Sequence, residues 1–111
     1  MNVYDTANKL ASELRTSKEY LDFKKSKEDI QKNPEWKEKI SQFEKARYEL
    51  QVFSLKGEQQ DKEKIENMQK LYLELIANEQ IKNYFELELK FNVMLADVNK
   101  IIAESVEDVI K

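Results

Sequence analysis

Along most of this chain, apolar side chains return at alternating intervals of three and four, the spacing that gathers them on one face of an α-helix. The stripes run Val3, Ala7, Leu10, Leu14; then Tyr20, Phe23, Ile30; then Trp36, Ile40, Phe43, Leu50; then Ile65, Met68, Tyr72, Leu75. Between them stand the residues that stop or start helices: Ser17, Asn33 with Pro34, Gly57, Asp61 and Asn78. The pattern predicts five helices, at 3–15, 18–32, 34–56, 62–77 and 79–110, with one true loop from Gly57 to Gln60. Each stripe reads as the inward face of an all-α, five-helix bundle closed by a long C-terminal helix.

Three joints share one arrangement: Leu14-x-x-Ser17-x-x-Tyr20, Ile30-x-x-Asn33-x-x-Trp36 and Leu75-x-x-Asn78-x-x-Ile81. A side-chain oxygen midway between two apolar residues is placed to accept a hydrogen bond from the first free backbone N–H groups of the next helix. Pro34 suits the first helical position, and Glu19, Glu35 and Glu79 favour the positive helix start. These joints are therefore tight bends, not linkers. Asn33-Pro-Glu-Trp-Lys37 and Asn78-Glu-Gln-Ile-Lys82 also match each other, which fits either a duplicated helix pair or chance.

Two segments carry more apolar surface than one face requires. In the last helix, residues from Ile81 through Phe91 and Leu95 to Ile110 place apolar side chains over roughly two thirds of the circumference at ~100° per residue. At ~1.5 Å per residue that helix would be about 48 Å long, against about 35 Å for a compact globule of this size, so part of it is expected to project. At the end of the third helix, Tyr48, Val52 and Leu55 form a stripe opposite Leu50 and Phe53. Either the chain covers both faces itself or a second subunit covers the outer one, and the sequence favours the oligomer because two segments point the same way. Within the apolar arc of the last helix lies a polar line, Glu88, Asn92 and Asn99. Such a line can fix register with a partner, line a groove for a peptide or small ligand, or face water.

One glycine and one proline in 111 residues leave strands nowhere to turn, and the length is that of one domain spanning residues 1–111. The 19 basic and 22 acidic residues nearly cancel, so the net charge of −3 gives no general pull toward nucleic acid or anionic membrane. With no cysteine, no leader pattern and no apolar run approaching ~20 residues, a cytoplasmic protein is the expectation. The absence of histidine and cysteine, and of any glycine-rich phosphate loop, removes the usual proton shuttles, nucleophiles and cradles, so no catalytic, cofactor or metal residues are assigned. Di-metal bundles build on Glu-x-x-His pairs, which this chain cannot complete. Seven lysines between Lys18 and Lys39 open an alternative, direct contact with RNA phosphate, but six carboxylates stand among them. A weaker alternative is a small-ligand-binding bundle that uses the Glu88 line.

The start Val3-Tyr-Asp-Thr-Ala-Asn-Lys-Leu-Ala, then Ser17-Lys-Glu-Tyr-Leu, Asn33-Pro-Glu and Val98-Asn-Lys-Ile-Ile resemble the YheA branch of the YlbF/YmcA family across essentially the whole chain. That resemblance implies an all-helical, self-associating bacterial protein from a family tied to competence, sporulation and biofilm development. It also implies noncatalytic regulation, through protein partners that influence RNA processing. The cysteines that some relatives use around a metal cluster have no counterpart here. The combined expectation is a noncatalytic homo-oligomer, dimer or higher, with Tyr48, Val52, Leu55, Glu88, Asn92 and Asn99 as candidate interface residues.

Overall fold

The computed structural model describes residues 2–57 and 61–110. Among them six α-helices and no strands are found: α1 (Val3–Thr16), α2 (Lys18–Gln31), α3 (Pro34–Leu55), α4 (Lys62–Ile76), α5 (Glu79–Ser105) and the short α6 (Glu107–Ile110). The joints are built as their residues dictate. Ser17 Oγ accepts from Tyr20 N–H at 3.2 Å and donates to the Leu14 carbonyl at 2.7 Å. Asn33 Oδ1 accepts from Glu35 and Trp36 N–H at 3.1 and 3.2 Å, and Asn78 Oδ1 from Gln80 and Ile81 N–H at 2.9 and 3.1 Å. Each cap satisfies backbone donors that the next helix leaves without a carbonyl, so a sharp turn needs no extra residues. Gly57 ends the third helix with φ +71°, a left-handed conformation that glycine adopts without a Cβ penalty. Residues 58–60 of the expected loop lie outside the described residues.

The helices group into two compact units. One comprises residues 28–83, with Ile30, Ile40, Phe43, Leu50, Leu75 and Ile81 buried. In it α3 packs on α4, Phe43 stacks obliquely on Tyr72 at 5.5 Å between ring centres, and Lys39 bridges to Glu74 at 3.1 Å. The other joins residues 1–27 to residues 84–111. Its centre is aromatic: Phe23 lies 5.5 Å from Tyr84 and 5.7 Å from Phe91, and Tyr20 lies 6.1 Å from Phe91. Rings at such separations and tilts gain from their quadrupoles beyond simple burial.

Two expectations are corrected. The stripe of α1 is not a buried core face: Leu10 and Leu14 on it are half-buried, but no α1 residue is buried, and Val3 and Ala7 on the same stripe are exposed. Periodicity identifies which face is apolar, but it does not supply anything to cover it. The last helix is also not continuous to 110. Ser105 Oγ turns back to the Ile102 carbonyl at 2.6 Å, Val106 forms a tight i→i−3 bond to Ala103, and α6 restarts with Glu107 and Asp108 in its first turn.

Candidate interaction faces

The residue-28–83 unit presents the first candidate face. On α3, Leu50 is buried and Phe53 half-buried on one side, whereas Tyr48 and Leu55 on the other side are 66% and 81% exposed, with Val52 half-buried between them. The spacing of four and three sets these side chains in one row, so the row is an apolar ridge that this chain covers in part at Val52 and leaves bare at Tyr48 and Leu55. Leu55 also stands at the edge of a groove of about 370 Å³, formed with Leu50 and Ser54 of α3 and Ile65 and Met68 of α4. Lys64 crosses the Phe53 ring at 5.1 Å and Arg47 the Phe43 ring at 5.3 Å. Their aliphatic stems cover apolar surface while their charges stay in water.

In the other unit the polar line of α5 is not a buried seam within the chain. Glu88 is half-buried, while Asn92 and Asn99 are exposed. The more conspicuous feature lies toward the end of the helix whose apolar arc is too wide for one face: every described side chain from Asn99 to Ile110 is exposed, including Ile101, Ile102, Val109 and Ile110. Across from Ile102, the α1 residues Val3, Thr6, Ala7 and Leu10 line a groove of about 540 Å³. A second groove, about 800 Å³, separates Lys18 and Asp22 of α2 from Leu87, Lys90, Met94 and Asp97 of α5. The groove beside α1 is lined by apolar side chains with Asn2 and Thr6, whereas the groove beside α2 has an apolar floor with a charged rim, the composition of protein contact sites. The signal for them lay in the width of the apolar arc on α5, wider than one partner helix can cover.

The lysine-rich stretch is tied to its own helix neighbours. Lys18 meets Asp22 at 2.9 Å and Lys32 meets Asp29 at 3.6 Å, Lys39 bridges Glu35 at 3.5 Å and Glu74 at 3.1 Å, and Lys24 lies over the Tyr20 ring. The hydrogen bond to Asp22, then its charge, raises the pKa of Lys18; the hydrogen bond to Glu74, then its charge, raises that of Lys39. Among the described residues no group of three or more Asp or Glu is placed to hold a metal ion, and no helix is long and apolar enough to cross a membrane.

A helical chain with capped bends and bare apolar ridges matches one known family over almost its full length. The sequence profile described as control of competence regulator ComK, YlbF/YmcA (Com_YlbF) fits residues 3–107. The chain belongs to the Com_YlbF family. Among its relatives, a UPF0342 protein of Caldicellulosiruptor bescii is 40% identical over 106 residues, spanning 96% of this chain and 89% of the relative. A UPF0342 protein of Symbiobacterium thermophilum is 36% identical over 105 residues, spanning 95% and 94%. The solved structure described as a protein of unknown function (DUF964) from Bacillus stearothermophilus superposes with a TM-score of 0.81 at 20% identity, covering 96% of this chain and 94% of that one. At that identity the likeness establishes the all-α fold, while the family description links Com_YlbF proteins to control of a competence regulator.

Proposed function

We propose that this protein is a noncatalytic, self-associating regulatory module that works in the cytoplasm by docking to other proteins, within the control systems its family serves. The observation that carries this reading is the set of large apolar side chains left uncovered on α1, α3 and α5, from Val3 and Tyr4 through Tyr48 and Leu55 to Leu89 and Ile101. Large bare apolar side chains in such number on a small chain are costly in water and are ordinarily retained for contact with a partner. The family's link to a competence regulator supports regulation rather than turnover of a substrate. The direct RNA reading gains no support from the lysines, several of which are neutralised by carboxylates beside them.

Two measurements test the proposal. Light scattering on the purified chain is expected to give a multiple of the 13.3 kDa subunit mass, and Val52→Lys, placed on the α3 ridge, is expected to lower that mass while far-UV circular dichroism stays unchanged. An unaltered mass for Val52→Lys removes the ridge from the interface. Affinity capture from lysate of the source cells, with and without nuclease, is expected to retain proteins of RNA-processing control after nuclease treatment. Loss of those proteins on nuclease treatment would move the reading to an RNA-mediated association.

A further inference from the structure

The back of α5 carries a sequence that complements itself when run in reverse. Its inward side holds Tyr84, Phe91, Leu95 and Val98; about 160° around the helix, at ~100° per residue, stand Glu86, Leu89, Lys90, Val93, Ala96, Asp97 and Lys100. All of these outer residues are exposed, and two of them, Leu89 at 64% and Val93 at 50%, are large apolar side chains; with Lys90 and Asp97 they also line the groove whose other wall is Lys18, Glu19 and Asp22 of α2. Counting outward from Val93, Glu86 lies seven residues before it and Lys100 seven after; Lys90 lies three before and Asp97 four after; Leu89 lies four before and Ala96 three after. Glu86 is thus matched by Lys100 at the mirrored position, while Lys90 and Asp97, and large Leu89 and small Ala96, are matched to within one residue of it.

We propose that two copies of this chain pair along this face, α5 against α5 and antiparallel, with a two-fold axis at Val93; this rests on the self-association reading above. A two-fold contact is isologous, so one patch must be its own complement, and a contact made by residue i with residue j occurs twice. In that register Glu86 comes level with Lys100 of the second copy. Lys90 comes within about one residue rise, ~1.5 Å, of Asp97 of the second copy. Leu89 packs over Ala96 of the second copy on either side of the Val93–Val93 contact, a large residue against a small one, as interdigitating helices require. The parallel arrangement instead sets each charge beside its own kind. Among the described residues Glu86, Lys90 and Asp97 make no ion pair, and the Lys100–Glu104 bridge is exposed and long at 3.8 Å, so the pairs across the axis displace little.

The absence of cysteine makes a single introduced thiol an unambiguous reporter. Val93→Cys is expected to form a disulfide-linked dimer rapidly on mild oxidation, and Asn92→Cys, ~100° away on the helix, to form little. Lys90→Asp and Asp97→Lys each place like charges at both symmetric positions, and each is expected to weaken self-association about tenfold or more at low salt. Mixed in equal amounts, the two variants recover wild-type affinity as a heterodimer, because each then supplies the charge the other lacks. A wild-type chain that stays monomeric at every concentration overturns the self-association reading, and the pairing with it. A wild-type oligomer whose mass survives both variants, with no recovery on mixing and no Val93→Cys dimer, overturns the α5 pairing alone and assigns this face to a different partner. Circular dichroism on each variant separates lost pairing from lost folding, and the Val93→Cys result stands if a charge variant misfolds.

Discussion

Leu75 and Leu73 sit two residues apart on α4, share one helix propensity, and differ only in what surrounds them: Leu75 is 2% exposed and Leu73 is 64% exposed. Replacing either by alanine removes the same carbon atoms. For Leu75 those atoms leave a filled interior; the lost transfer energy of about 0.8 kcal/mol per methylene-sized group amounts to roughly 2.5 kcal/mol. The unfilled space raises the total to about 3 kcal/mol, inside the range of about 2–5 kcal/mol for buried leucines. Leu73→Ala loses contacts mostly with water, and its expected cost is within about 0.5 kcal/mol. At roughly 4–8 °C per kcal/mol for small domains, Leu75→Ala is expected to melt more than 10 °C below the wild type, and Leu73→Ala within about 4 °C. Urea and thermal melts followed by circular dichroism measure both, at one fixed protein concentration because association couples to stability. Equal losses at the two positions would refute the assignment of Leu75 to the interior. A Leu73→Ala effect that grows with protein concentration would instead place Leu73 in a subunit contact.

Asn78→Ala removes the acceptor for Gln80 and Ile81 N–H at the start of α5 and is expected to cost about 1 kcal/mol, with Asn78→Asp restoring most of it; urea melts of the three proteins check the order. For Lys39, the hydrogen bond to Glu74 raises the folded-state pKa above that of the unfolded chain. Its contribution to stability is therefore fully present below the ordinary lysine pKa and is lost as pH rises through the raised value. The stability difference between wild type and Lys39→Met is expected to stay constant from about pH 6 to 9 and to shrink only in more alkaline solution. Denaturant titrations across that range check this, and a difference that changes near neutrality would contradict it.

Much of the fold could be read from the chain because its punctuation is local. Ser17, Asn33 and Asn78 bond to backbone groups within three residues of themselves, so their spacing states where one helix ends and the next begins without reference to any distant contact. Gly57, the one glycine, likewise occupies a left-handed position after α3. The break at Val106 was equally local, in Ser105 followed by Glu107 and Asp108, but the apolar rhythm of Ile101, Ile102, Val106 and Val109 runs through it and masks it. What periodicity could not decide is coverage. The stripe of α1 and that of α4 have the same form, yet Leu75 is buried and Val3 is bare. The difference lies in which helices are brought against each stripe, a long-range property that a window of residues does not contain. The same limit explains the candidate sites. Tyr48 and Leu55 were identifiable because they stand opposite Leu50 on one short helix segment, whereas the bare back of α5 became visible only once Tyr84 and Phe91 fixed which side faces inward.

Self-association through uncovered apolar faces is tested most directly by sedimentation equilibrium of the wild-type chain over a wide concentration range. The account predicts a mass that rises with concentration from the 13.3 kDa monomer, or already stands at a fixed multiple of it. A mass of 13.3 kDa that persists unchanged up to the highest concentrations reached would contradict it.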